Sequence, residues 1–148
     1  MNDIDWILEL IKHCKNFPVS ILLHGNLAKP VSSVIVDSID ADITEISCSP
    51  TCIDEDFFGE YTIDTNGAIK WVDGCIVSTI KKAINTKKSA VIEFDEFDLL
   101  DEVLMTKVFI SLRDTISNDV KIIVLYKVKD ITKLPVHIAF YFLLNLSF

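Results

Sequence analysis

The chain has 148 residues, half of them hydrophobic, which is enough for one domain with a sizeable core. Its mean hydropathy is +0.39, yet its wholly apolar runs fall far short of the roughly 18 to 20 residues of a membrane-spanning helix. The net charge of −8 argues against a broad nucleic-acid surface, which needs clustered Lys and Arg, and leaves room only for a local basic groove.

Asp3, Asp5 and Glu9 interrupt the first apolar residues, so no signal peptide and no membrane association are expected, and the expected compartment is the cytoplasm. Cys14, Cys48, Cys52 and Cys75 are then expected to be free thiols. Cys48 and Cys52 have CxxxC spacing, but no second Cys/His pair stands nearby to complete a tetrahedral metal site.

In chain order, residues 3 to 15 predict an amphipathic helix, with Asp3 as its cap and Ile4, Ile7, Leu8 and Ile11 on one face. The run "VSILL" (19–23) predicts a strand buried on both faces, as in a parallel sheet. Pro30 suits the first turn of a helix over about 31 to 39. "ITEIS" (43–47) alternates, which predicts a strand nearer an edge. "GEYTIDTNGAIKWVDG" (59–74) predicts a hairpin turning at Asn66-Gly67. Ile76, Ile80, Ala83 and Ile84 predict a helix over 75–85. Residues 90–94 predict a core strand, and 101–117 a helix burying Val103, Leu104, Val108 and Leu112. "VKIIVLY" (120–126) predicts a fourth strand and "FYFLLNLSF" (140–148) a fifth. Buried strands alternating with helices predict an α/β domain whose ligands sit at the carboxyl ends of the strands. His24-Gly25 and Asp95-Glu96 are expected there, on neighbouring strands.

Asp95 and Glu96 are the candidate chemistry. A buried strand ending in two acids can orient a magnesium ion through the Asp and polarise a water through the Glu. The competing reading is a solvated acidic loop, since Glu93, Asp98, Asp101 and Glu102 lie close by. With no cation between them, the adjacent carboxylates are expected to repel each other. The only candidate phosphate loop upstream is "LLHGNLAKPVSS" (22–33).

Asp56-Phe57-Phe58-Gly59, Trp71-Val72-Asp73-Gly74, the helix running up to Ala83, and Asp95-Glu96 occur in an order and at a spacing that resembles the dynein-related, MoxR-like branch of the AAA+ ATPases. The resemblance covers roughly residues 19 to 146 and is most specific over 48 to 98. It implies a P-loop NTPase-like three-layer α/β sandwich with a mainly parallel five-stranded sheet, order 5-1-4-3-2. It also implies that the 59–74 hairpin is an insertion, and the whole chain, 1–148 with its N-terminal helix in 1–17, is expected to form one degenerate AAA+ core domain. Asp95 would be the metal-orienting acid at the end of the Walker B strand and Glu96 the water-polarising one, while Gly25 and Lys29 would meet the phosphates of ATP.

The departures from that family concern the phosphate loop first. Its form is G-x-x-x-x-G-K-S/T; here Gly25-Asn26-Leu27-Ala28-Lys29-Pro30 is shorter, Ala28 replaces a glycine, and Pro30 replaces the magnesium-binding hydroxyl. Ser32 and Ser33 lie one turn further on, at the wrong helical phase. The fourth strand ends Leu125-Tyr126-Lys127 where a polar Asn or Thr is usual. Arg113 is the one arginine, and no lid follows the expected fifth strand. The leading expectation is a degenerate AAA+ domain that binds a protein partner or itself, with little or no ATP hydrolysis and no cofactor. Weak ATP/Mg binding, with a working ATPase or a structural nucleotide, stays open as the alternative. The acidic run Asp54-Glu55-Asp56 is either a solvated turn or a docking patch for a basic partner.

Overall fold

The computed structural model describes residues 3–13, 19–26, 28–115 and 120–143. In order these form helix α1 (Asp3–His13), strand β1 (Val19–His24), helix α2 (Ala28–Asp37), strand β2 (Asp42–Ser47) and the short helix α3 (Asp54–Phe58). The hairpin strands β3 (Gly59–Ile63) and β4 (Ile69–Asp73) come next, then α4 (Cys75–Thr86) and β5 (Ala90–Asp95). Helix α5 (Glu102–Arg113), strand β6 (Ile122–Val128) and helix α6 (Val136–Leu143) complete the order, with single 3-10 turns at Phe97–Leu99 and Ile131–Lys133.

Four strands form one parallel sheet in the order β1-β6-β5-β2, and β3 and β4 form a separate antiparallel pair. Side chains alternate across the sheet because successive Cβ atoms point to opposite faces. Ile122, Val124, Tyr126 and Val128 of β6 join Ile92 and Phe94 of β5 on one face, beneath α3, α4, α5 and α6. Ile123 and Leu125 join Val19, Ile21 and Leu23 of β1 on the other, beneath Ile7 and Ile11 of α1 and Ile35 of α2. Burial on both faces explains why β1, β5 and β6 read as continuous apolar runs, whereas β2, with Ile43, Glu45 and Ser47 exposed on one face, alternates.

Three expectations need correction. Residues 140–143 are helical, not the start of a fifth strand; residues 144–148 of that expected strand lie outside the described set. A helix starting after Pro135 puts Ile138 and Phe142 one turn apart, and both reach the core while Phe140 stays exposed. Helix α5 ends at Arg113, and its buried face is Leu104, Met105, Val108, Phe109 and Leu112, with Val103 exposed. The strands bearing His24 and Asp95 are not neighbours, because β6 lies between them.

The hairpin stands where expected. Its turn spans Asp64 to Ala68: the Asp64 carboxylate accepts from Asn66 N at 2.8 Å and Ala68 N at 3.0 Å, and Gly67 takes φ 79. At its base Gly59 has φ 121, and an added Cβ would lie 2.5 Å from the Val72 carbonyl oxygen. Trp71 is not a core residue. It packs edge-on against Tyr61, with ring centroids 5.0 Å apart, and donates to Asp73 at 2.7 Å.

Candidate functional site

The carboxyl ends of β1, β6 and β5 open into a cleft of about 450 Å³. All four residues singled out by sequence, Gly25, Lys29, Asp95 and Glu96, lie on its wall, together with Lys127 at the end of β6 and Lys129 just beyond it. Lysines from the interposed strand were legible as residues but not as neighbours, because nothing local places β6 between β1 and β5.

Gly25 turns the chain out of β1 with φ 85, a conformation glycine adopts without penalty, and its N–H bonds to Val128 O at 3.2 Å. Ala28 N closes the turn onto Gly25 O at 3.3 Å. Helix α2 thus begins at Ala28, whose side chain is buried in the α1/α2 core, and Pro30, its third residue, contributes no N–H. Neither serine replaces the missing hydroxyl. Ser32 is buried and donates to the Glu93 carboxylate, while Ser33 donates to Lys29 O at 3.2 Å. Glu93 therefore faces α2 rather than the cleft.

Asp95 ends β5, half-buried, its carbonyl accepting from Cys48 N at 3.0 Å. Glu96 follows in the left-handed region, φ 54, a strained conformation for a residue other than glycine. Its carboxylate pairs with Lys129 Nζ at 2.8 Å. That hydrogen bond, more than the lysine's charge, lowers the Glu96 pKa, and Lys29 lowers it slightly further. The expected repulsion between Asp95 and Glu96 is thus not the controlling contact: Lys129 answers it. Asp98 holds this arrangement. It is buried and accepts from Lys129 N at 3.2 Å and Asp130 N at 3.1 Å, which ties the 3-10 turn after β5 to the chain leaving β6. Sequence reading counted Asp98 as one acid among many; its buried role depends on a contact 31 residues away.

Lys127 is 5% exposed, its ammonium 3.7 Å from Glu93 Oε1 and 3.8 Å from Glu45 Oε1. Arg113 is remote from the cleft, paired with Asp114 and lying over the Phe109 ring. His24 is half-buried at the end of β1. Cys48, Cys52 and Cys75 are free thiols, and burial pushes Cys48 up to about 12, so it is not a reactive thiolate at neutral pH. Cys14 lies outside the described residues. Among the described residues no group of three or more His, Cys, Asp or Glu side chains is arranged to hold a metal ion, and no helix is long and apolar enough to cross a membrane.

No protein-family model matches the chain, and no curated protein matches it significantly. Among solved structures it is similar to that of a candidate ATPase from Cytophaga hutchinsonii, with TM-score 0.52 and 19% sequence identity, over 84% of this chain and 38% of that one. The chain therefore spans less than half the length of that protein. The likeness shows the fold: an α/β domain of P-loop NTPase-like type with a mainly parallel sheet.

Proposed function

We propose that this domain is a protein-interaction or assembly module on an AAA+-like architecture, with little or no ATP hydrolysis. The observation that carries the reading is the β3–β4 hairpin. Tyr61 is 73% exposed, Ile63 74% and Ile69 72%. The cross-strand pairs Tyr61–Trp71 and Ile63–Ile69 set these side chains and the Trp71 ring on one face of the ladder. Apolar side chains massed in water are unfavourable until another surface covers them. Exposed Glu55, Asp56 and Glu60 lie at the hairpin's base, so the partner that fits is an apolar patch rimmed by Lys or Arg. The diverted Ser32, Pro30 in the first turn of α2 and the Lys129–Glu96 pair support the lack of turnover.

The test joins an ATPase assay to cross-linking in the native host. Wild-type protein should show no turnover above background and should cross-link to a defined partner. A double variant, Ile63→Ser with Ile69→Ser, should keep the wild-type melting temperature within a degree or two and lose that cross-link. An unchanged cross-linking pattern in the folded variant overturns the reading.

A second reading rests on the convergence of Gly25, Lys29, Asp95 and Glu96 on one cleft: a nucleotide-binding ATPase, weak or completed by a partner subunit. In it Gly25 and Lys29 would meet the phosphates, Asp95 would orient magnesium and Glu96 would polarise the attacking water. Turnover that Glu96→Gln abolishes would favour it.

A further inference from the structure

The parallel sheet ends on β1 and on β2, and the two edges differ. In β1 Ser20 and His24 are half-buried and the other residues buried. On β2, Ile43 is 47% exposed, and Glu45 and Ser47 are exposed too. Asp42 N donates to Ser89 O at 3.0 Å and Cys48 N to Asp95 O at 3.0 Å. A strand repeats every two residues, so Asp42, Thr44, Ile46 and Cys48 turn their backbone groups to β5. Ile43, Glu45 and Ser47 turn theirs to the open side, where no strand among the described residues meets them. Beside this edge β2 and α4 enclose a groove of about 270 Å³, lined by Thr44, Ser78, Thr79 and Lys82 among others. The Thr44 and Thr79 hydroxyls lie 3.3 Å apart, and Thr79 donates to Cys75 O at 2.7 Å. Ser78 and Lys82 are exposed, and their polar heads make no hydrogen bond or ion pair among the described residues.

We propose that the open edge of β2 takes an extended segment of a partner protein as an added antiparallel strand, with one acidic side chain of that segment seated between β2 and α4. An otherwise parallel sheet often carries an antiparallel strand at its edge. Strands added in this way draw affinity from main-chain hydrogen bonds and specificity from alternate side chains. Cross-strand neighbours set the sequence. The residue opposite Glu45 lies on the same face as that carboxylate and fits Lys or Arg. The residue opposite Ile43 lies on that face as well and fits Val or Ile, which covers the exposed side chain. The residue between them, opposite Thr44, points into the groove, where the Ser78 hydroxyl and the Lys82 ammonium offer donors to Asp or Glu. In the partner's chain direction the core therefore reads basic, acidic, β-branched. The groove is smaller than the roughly 300–1,000 Å³ of small-molecule sites, so it admits a side chain rather than a free metabolite. A second copy of β2 fits less well. In the register that pairs all three outward residues of two copies, the two Glu45 carboxylates would face each other.

This inference goes beyond the hairpin reading and does not depend on it, since it concerns a different surface. The test is titration of the full chain with a capped nonapeptide centred on Lys-Glu-Val, followed by calorimetry and by amide exchange in NMR. The peptide should bind at sub-millimolar concentration. It should slow exchange of the Ile43 and Glu45 amides by about tenfold or more and leave Thr44 and Ile46, already bonded to β5, unchanged. Methylating the backbone nitrogen of the peptide's Lys or Val should abolish binding. Methylating that of its Glu, whose N–H points away from β2, should be tolerated. Lys82→Met should weaken binding about threefold to tenfold, and a peptide with Gln for Glu should bind that variant and wild type alike. The Ile63→Ser, Ile69→Ser variant should bind as wild type does. No binding at millimolar peptide, equal tolerance of all three methylations, or loss of binding in the hairpin variant would each overturn the proposal. So would protection of the Ile43 and Glu45 amides that grows with protein concentration in the absence of peptide, because a second copy would then hold the edge.

Discussion

Tyr126 is fully enclosed by Phe94, Phe97, Phe109 and Phe142, and its hydroxyl is buried with no hydrogen-bond partner among the described residues. Burial pushes the phenol's pKa upward, so it stays neutral at any ordinary pH. A buried donor without an acceptor costs about 1–3 kcal/mol. Tyr126→Phe removes the orphan and keeps the ring, so thermal unfolding should show a gain of about 1 kcal/mol, or roughly 2–4 °C. A clear loss would mean that the hydroxyl is satisfied in solution. Glu96 offers the opposite case. Its pKa is lowered from 4.5 and that of Lys129 raised from 10.5, each chiefly by their mutual hydrogen bond. A depressed carboxylate stabilises the fold above its unfolded pKa and loses that contribution as pH falls through the folded value. A raised lysine stabilises below its unfolded pKa and loses its contribution as pH rises through the folded one. Denaturant curves of wild type and Glu96→Gln should therefore differ most on the plateau between those limits and converge at either end. The gap should be small, because the pair is largely exposed. A gap that widens in acid would contradict the pairing.

Helix α6 decides between two readings of one apolar run. In a strand, residues 140 and 142 share a face; in a helix they do not. Phe142 is buried against Phe109 and Tyr126, whereas Phe140 is exposed. Phe142→Ala should cost about 3–5 kcal/mol, and Phe140→Ala no more than about 0.5 kcal/mol. Equal losses in urea denaturation would restore the strand. Aromatic residues favour strands by propensity; here the start after Pro135 and the space beside Tyr126 outweigh that preference.

Across the whole molecule, the sheet separates two cores. The α1/α2 side carries the buried Ser32–Glu93–Lys127 set at its carboxyl end, and among the described residues the other side is apolar apart from the Tyr126 hydroxyl and buried Asp98. The cleft lies where the polar end of the first core meets the loop after β1. Ligand binding to the native state raises stability by RT ln(1 + [L]/Kd). Millimolar ATP in EDTA should thus shift the melting temperature at least as much as MgATP does. A large rise seen only with magnesium would indicate a metal-assembled site and count against the interaction reading.

How much of this was legible in the sequence follows from the range of each contact. Periodicity located β1, β2, α4, β5 and β6 because burial on one or two faces prints a repeat of two or 3.6 on neighbouring residues, while Pro30 marked α2 and Asn66-Gly67 the 59–74 hairpin. The strand pattern also placed Gly25, Asp95 and Glu96 at the strand ends that border the cleft, and the loop comparison added Lys29. Pro30 and Ala28 needed no structure, since a missing N–H and an added Cβ are properties of the residues themselves. The direction of Ser32 toward Glu93, 61 residues away, had no local signature. Nor did the hold of Lys129 on Glu96 or the exposure of the hairpin's apolar face. Those depend on which strands become neighbours. Strand order is set by packing both faces of the sheet at once, and that packing, by putting β6 between β1 and β5, brought Lys127 and Lys129 into the cleft.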